Sequence, residues 1–170
     1  ARQVLPVVLL VTALAAALAQ LLWQLSGIPG QARADTAEDI GELARQQAMR
    51  IDGHAEMGIE HGRSRLVGVL AMDARVAGAW VVDGQGRVVS SLMRGDIGRD
   101  FGQVVERRPD GRGAALRAAV FPSNAGRPQF ATEACCLAVS REVLLRADPS
   151  RYGMLVIEAD TTPVVAAMRE

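Results

Sequence analysis

Residues 79–91 read AWVVDGQGRVVSS, and this stretch decides the fold because two valine-rich runs flank a short turn with two glycines. Valine suits a pleated, half-buried sheet, and glycine permits the positive φ that tight hairpin turns require. The pattern predicts a first strand over residues 76–82, a turn over 83–86 and a second strand over 87–92. Asp83 is typical of a turn-forming residue and not of a catalytic base.

The sequence after the hairpin predicts three more strands and a short helix. The predicted elements are a short helix near residues 102–107, a strand over 115–121, a turn over 122–128, a strand over 129–140 and a buried strand over 154–160. Thr162 and Pro163 then favour the start of another helix in residues 162–170, because proline at the first helical position removes no hydrogen bond. The class predicted is α+β, with an antiparallel sheet of about five strands within residues 73–161.

Residues 36–72, upstream of the hairpin, predict a long helix. Apolar or small residues recur there at steps mostly of three and four: Ile40, Ala44, Ala48, Ile51, Ala55, Ile59, Leu66 and Val69. Such a helix is about 50 Å long, which exceeds what one small domain covers. We therefore expect its membrane-proximal part to pack against a partner helix.

Residues 4–25 contain no ionisable side chain, and about 20 such residues cross the hydrocarbon core of a bilayer. They predict a transmembrane helix and anchor over residues 1–27, with SGIPG at 26–30 as a break and a linker over 28–35. A cleaved signal peptide is the alternative, because residues 17–19 resemble a cleavage site. Arg2 lies closer to the span than Arg33, which favours a single pass with the main domain outside.

The 170 residues suffice for one extramembrane domain of about 130 residues beside the membrane segment. The 19 acidic residues balance 19 basic residues, all of them arginine, so net charge predicts no nucleic-acid partner. Cys135 and Cys136 are the only cysteines. Adjacent cysteines on a strand point to opposite faces. Buried thiols, a bridge between chains, a vicinal disulfide and metal binding all remain open.

Catalytic and metal-binding motifs are absent from the sequence. It contains no haem-attachment motif, no H-E-x-x-H helix, no Walker loop and no G-x-S-x-G elbow, so we expect neither an enzyme nor a cofactor. His54 and His61 lie seven residues apart on the predicted helix, about 10 Å along its axis, which is too far for one metal ion. A mixed site with Glu56, Glu60 and another chain is the remaining alternative to a solvated polar stripe.

Three segments together resemble the extracytoplasmic Cache sensor domains of bacterial chemoreceptors, histidine kinases and diguanylate cyclases, which are relatives of the PAS fold. The segments are MDARVAGAWVVDGQGRVVSS at 72–91, GDIGRDF at 95–101 and YGMLVIEADTTPVV at 152–165. The resemblance implies a periplasmic domain on the inner membrane whose sheet holds a small ligand on one face. The aromatic and arginine pattern with which one Cache subgroup binds amino acids is not found.

Arginine is the expected recognition group for an anionic ligand, because its planar guanidinium binds carboxylates through two hydrogen bonds. Arginines near the predicted strands are Arg87, Arg94, Arg117 and Arg127, and Trp80 and Tyr152 are aromatic residues that could line a cavity. Arg117 ranks first because it interrupts an apolar strand.

The sequence thus predicts a membrane-anchored sensor module that binds a small ligand and relays a signal, as a homodimer or beside neighbouring transmembrane helices. The alternative is a single-span accessory subunit of a larger membrane complex, docking through the same fold without a ligand. A periplasmic enzyme or metal carrier would require the cysteines or histidines to converge.

Overall fold

A five-stranded antiparallel sheet is the centre of the computed structural model, which describes residues 4–59, 62–108, 112–131, 136–146 and 152–161. Before residue 34, side chains are described only for residues 13–20. The helices are α1 (Val4–Glu56), α2 (Gly62–Val69), α3 (Phe101–Glu106) and α4 (Arg112–Val120). The strands are β1 (Val76–Asp83), β2 (Val88–Ser91), β3 (Gln129–Phe130), β4 (Cys136–Leu144) and β5 (Tyr152–Asp160).

The chain divides into two units, Ala1–Asp35 and Thr36–Glu170. The described backbone of the first unit is helical. The helix continues through Ser26–Gly30, where the sequence predicted a break. That expectation was wrong. Among the described residues, no helix is both long and apolar enough to cross a membrane. The predicted span over residues 4–25 lies outside the described side chains except at residues 13–20, and the predicted exit helix over 162–170 lies outside the described residues altogether.

The strand order in the second unit is β2-β1-β5-β4-β3, so the last of the described strands lies in the middle of the sheet. Every pairing is antiparallel, and β5 pairs with both long neighbours, for example Val156 with Trp80 on one side and with Ser140 on the other. The β1–β2 hairpin was predicted correctly. Asp83 Oδ1 accepts hydrogen bonds from the backbone N–H groups of Gln85 and Arg87, both at 2.9 Å, and Gly86 adopts φ +80°.

Helices cover both faces of the sheet. One face packs against α1 and α2, in a core that includes Ile40, Ala44, Ala48, Ile51, Val67, Leu70, Val81, Val139, Leu155 and Ile157. The opposite face packs against α3 and α4, in a core that includes Trp80, Val82, Phe101, Val104, Val105, Leu116, Ala119, Ala138 and Val156. The alternation of side chains along β5 assigns its residues to the two faces in turn. The fold is therefore α+β, with the sheet between two helical layers.

Helix α1 ends at Glu56, earlier than the predicted end at residue 72. Gly58 adopts φ +72°, the Ile59 N–H donates to the His54 carbonyl, and the Gly58 N–H donates to the Ala55 carbonyl. This is the hydrogen-bond pattern of a glycine-terminated Schellman motif. The predicted buried positions up to Ala55 are confirmed, whereas Ile59 beyond the motif is 45% exposed.

Two downstream expectations were wrong. Residues 115–121 were predicted as a strand, but most of them belong to α4, in agreement with the high helix propensity of alanine, leucine and arginine. The strand expected over 129–140 is split into β3 and β4, and β4 continues to Leu144. The helix near 102–107 and the strand near 154–160 are confirmed by α3 and β5.

Polar contacts fix α1 to the sheet at two levels. Asp52 Oδ1 accepts a hydrogen bond of 2.6 Å from the backbone N–H of Leu144 at the end of β4. Toward the other end of the packed segment, Asp39 accepts a hydrogen bond of 2.8 Å from Arg75, whose carbonyl accepts one of 2.8 Å from the N–H of Asp160 in β5. The helix is thus connected to β4 and, through Arg75, to β5.

Replacing Asp52 with alanine is expected to destabilise the protein by about 1–2 kcal/mol, because the partly buried N–H of Leu144 loses its acceptor. Denaturant unfolding followed by circular dichroism measures the change. Asp52→Asn is the matched control, since its amide oxygen still accepts the hydrogen bond and most of the stability should return. Equal losses in both variants would show that the hydrogen bond contributes little.

Candidate functional site

Glu158 is a buried acidic side chain on the central strand. The residue is 1% exposed, and neither carboxylate oxygen has a hydrogen-bond partner among the described residues. Its cross-strand neighbours are small, Gly78 on β1 and Ala138 on β4. The carboxylate lies beside these small neighbours, on the face that packs against α3 and α4.

Two arginines approach Glu158 from the helical layer above it. Arg108 follows α3, and its Nη2 lies 3.7 Å from Glu158 Oε2. Arg112 begins α4, and its Nη1 lies 3.9 Å from Glu158 Oε1 while its Nη2 lies 4.0 Å from Asp160 Oδ2. These distances allow ion pairing but exceed those of hydrogen bonds. Glu158 is thus paired with the two arginines by charge and not by hydrogen bonds.

Trp80 forms an aromatic wall beside this charge cluster. Its indole is fully buried, its Nε1 donates a hydrogen bond of 3.0 Å to Asp96, and its ring meets that of Phe101 edge to face at 5.8 Å. The guanidinium carbon of Arg108 lies 5.0 Å from the ring centroid, a cation–π distance. Arg108 is thus held by the indole on one side and attracted by Glu158 on the other.

Burial raises the pKa of the Glu158 carboxyl, because an ionised group loses hydration there; Arg108 and Arg112 act in the opposite direction, and Asp160 adds to the increase. The net direction is upward, so the two arginines do not fully compensate for the lost hydration. A closer positive partner or the uptake of a proton would therefore lower the free energy of the carboxylate in this position.

The cluster has the composition of a small-ligand site. Two guanidinium groups supply donors for a carboxylate or another oxyanion, and the indole supplies an apolar wall. Glu158 and Asp160 limit the positive charge, so a ligand must either share the arginines with these acids or replace them.

Most of the arginines singled out from the sequence lie elsewhere. Arg94, Arg117 and Arg127 are exposed, with Arg94 in a 3₁₀ turn, Arg117 on the outer side of α4 and Arg127 in the loop before β3. Arg117 interrupts no strand, because its segment is helical. Tyr152 is 54% exposed and begins β5, six residues from Glu158 and about 20 Å away along the strand. Trp80 is the member of the predicted set that the structure brings to the cluster.

The described residues contain no group of acids, histidines or cysteines arranged to hold a metal ion. His54 Nδ1 lies 2.9 Å from the carbonyl of Arg50, within its own helix. Cys136 is buried on β4. His61 and Cys135 lie outside the described residues, so the alternatives that involve them stay predictions.

The sequence contained a signal for Glu158 that the prediction did not use. Glu158 interrupts the apolar run MLVIEA, the same kind of interruption that ranked Arg117 first. A charge within a buried strand must be paired or functional. Arg108 and Arg112 had no comparable signal, because a glycine-rich charged segment gives no indication of which arginines turn inward.

Comparison with known proteins adds no relative, since no protein-family model matches the chain and no curated protein matches it significantly. The class is therefore defined by the architecture: a long helix followed by a five-stranded antiparallel sheet, with a buried acid and two arginines on the face away from that helix.

Replacing Glu158 with glutamine should remove a pH-dependent part of the stability. Near and below pH about 4, the carboxyl is protonated in both the folded and the unfolded chain. As the pH rises, the unfolded chain ionises first because the folded-state pKa is raised, and the wild type loses stability until the pH passes that pKa.

The melting temperature of Glu158→Gln, minus that of the wild type, should therefore increase from about pH 4 to about pH 7. Thermal unfolding followed by circular dichroism at several pH values provides the comparison. Glu106→Gln replaces an exposed carboxyl on α3 and serves as the control, with a nearly constant difference expected. A constant difference for Glu158→Gln as well would disprove the raised pKa.

Gly78 leaves the space that the Trp80 ring occupies. A Cβ added at Gly78 would lie 2.2 Å from Cη2 of Trp80, and the ring is confined by Phe101 and Arg108. We expect Gly78→Ala to destabilise the protein by about 1–3 kcal/mol and to change the near-ultraviolet circular dichroism of the indole. The control is Gly41→Ala on α1, where an added Cβ meets nothing within 4 Å, and alanine should stabilise the helix by about 0.5–1 kcal/mol. An unchanged indole signal in Gly78→Ala would contradict this packing.

Proposed function

We propose that the chain is a membrane-anchored, extracytoplasmic sensor module of the PAS-like Cache type. It binds a small anionic ligand and relays a conformational signal across the bacterial inner membrane, as a homodimer or beside neighbouring transmembrane helices. The carrying observation is the convergence of Arg108 and Arg112 on the buried Glu158, on the sheet face opposite α1. A structural core would be expected to fill this place with apolar groups, because a loosely paired buried charge is unfavourable for folding.

The order of elements supports the same proposal. The Cache resemblance implies a fixed order: a hydrophobic leader without ionisable residues, a long helix, the hairpin, and a helical insert before the last strands. The elements of the chain follow this order. A ligand beneath the insert would contact β5 on one face, while α1 packs on the other. A displacement of β5 would then change its packing against the part of α1 that follows the hydrophobic leader in the sequence.

A specific connection supports the relay. The Asp160 side chain lies 4.0 Å from Arg112, and the backbone N–H of Asp160 donates to the carbonyl of Arg75, whose guanidinium donates to Asp39 of α1. A ligand that moves Arg112 changes the environment of Asp160, which is two residues from Glu158. The contact between Arg75 and Asp39 then offers a way to bias the position of α1.

Binding can be tested with the full chain in detergent, using Trp80 as the reporter. The chain contains two tryptophans, so Trp23→Phe leaves Trp80 as the sole tryptophan, whose emission is excited selectively at wavelengths that tyrosine does not absorb. Titration with acetate, succinate, sulfate and phosphate should change its emission saturably, because Arg108 lies against the indole ring. The same titration with simple amines is expected to have no effect.

Arg112→Gln and Arg117→Gln distinguish the structural assignment from the sequence assignment. Both arginines lie on α4, but only Arg112 faces Glu158, while Arg117 is exposed. Arg112→Gln should weaken anion binding about tenfold or more, since a charge-assisted contact is lost, and Arg117→Gln should not. The reverse ranking would place the site elsewhere, and no response to any anion would remove the main support for a sensor.

A second function, that of a single-span accessory subunit docking without a ligand, is favoured by Phe121 and Phe130. These two aromatic side chains are 63% and 50% exposed, near the β3 edge of the sheet. Exposed aromatic residues at a sheet edge are typical of a contact surface. The Trp80 titration separates the two proposals, because a docking subunit gives no saturable response to small anions.

A further inference from the structure

Adding an anion to the cluster creates an imbalance of charge. Among the residues of the cluster that the structure describes, Arg108 and Arg112 carry two positive charges, and Glu158 and Asp160 carry two negative charges when ionised. A bound anion would leave an excess negative charge beside a carboxylate that is 1% exposed. Because such a charge is poorly screened in a buried place, binding is favourable only if another negative charge is removed.

Glu158 is the group best placed to lose its charge. Its backbone is fixed in the central strand, so the carboxylate cannot retreat into water, and neither oxygen accepts a hydrogen bond from a described residue. Its contacts with the arginines are 3.7 and 3.9 Å long, so no hydrogen bond between Glu158 and either arginine must break when an anion takes its place. The burial that raises its pKa also makes the neutral acid accessible.

We propose that Glu158 is an internal competitor for the anionic ligand: Arg108 and Arg112 exchange Glu158 for the bound anion, and Glu158 takes up a proton from solvent as they do so. This inference rests on the proposed function, because it concerns the same anion site. Its consequence is that affinity for the anion rises as the pH falls. The site then reports anion concentration and acidity together.

Other charged groups around Glu158 do not account for such proton uptake equally well. Asp160 on β5 is partly exposed, so it retains hydration when Arg112 turns away. The Asp96 carboxylate already accepts a hydrogen bond of 3.0 Å from the indole N–H of Trp80. Cys136 on β4 pairs with Asp160, two residues along the ladder from the Ala138–Glu158 pair, and a neutral thiol cannot take up a proton at neutral pH.

Proton uptake can be measured directly on the full chain in detergent. Acetate and sulfate are the probes, because their own charges do not change near neutral pH. Calorimetric titration in two buffers with different ionisation enthalpies should show about one proton taken up per anion bound, and the affinity of the wild type should fall about tenfold per pH unit above the folded-state pKa of Glu158.

Glu158→Gln should bind the same probes without proton uptake, with an affinity that is independent of pH and at least tenfold higher than that of the wild type near pH 8. Glu106→Gln, with its exposed site on α3, should behave as the wild type does. If Glu158→Gln does not fold, the two-buffer measurement on the wild type decides the question alone.

Two negative results are distinguishable. Binding by the wild type without proton uptake overturns the competitor role of Glu158 and leaves the anion site of the proposed function standing. Binding of neither probe by the wild type or by Glu158→Gln, with both proteins folded by circular dichroism, overturns the anion site and the exchange together.

Discussion

The central position of β5 is the constraint on which the rest of the structure depends. Ladders to β1 and β4 satisfy its backbone on both sides, and seven consecutive residues, Gly153–Ala159, are buried. Alternate side chains then serve two different layers, with Leu155, Ile157 and Ala159 against the layer of α1 and Met154, Val156 and Glu158 toward α3 and α4. A single strand thus supports the long helix and carries the one charged side chain of that buried run.

The charge cluster shows how the fold accommodates a buried acid. The residues opposite Glu158 on the neighbouring strands, Gly78 and Ala138, are small, and the indole of Trp80 extends over Gly78. The compensating charges come from outside the sheet, from the residue that begins α4 and the residue shortly after α3. The sheet therefore holds the acid rigidly, whereas the helical layer holds the groups that balance it. The proposed anion site rests on this arrangement, since a salt bridge built only for core stability would favour short hydrogen bonds.

The parts of the fold that were predictable from the sequence are those governed by local patterns. The hairpin followed from valine runs around a glycine turn, and the buried face of α1 followed from small and apolar residues up to Ala55. Residues 115–121 were misjudged because apolar content was weighed above the helix propensity of an alanine-rich segment. That error also misplaced Arg117. The site itself depends on tertiary packing, because the inward direction of Arg108 and Arg112 is set by how α3 and α4 lie on the sheet. Of Glu158, Arg108 and Arg112, only Glu158 had a local signal, a charge inside an apolar run.

The strand order has a consequence for how the protein folds. Trp80 pairs with Val156, so the two long central strands are contributed by distant parts of the chain, and β5 must also insert between β1 and β4. Closing so large a loop costs chain entropy before the strand-pairing contacts form. Proteins dominated by such non-local contacts therefore fold slowly. Until β5 is synthesised, β1 has an unpaired edge and the apolar face of α1 is not covered by the complete sheet. Truncation before residue 152 should therefore yield an aggregation-prone intermediate and not a smaller folded domain, because the central strand β5 follows the other four strands in the sequence.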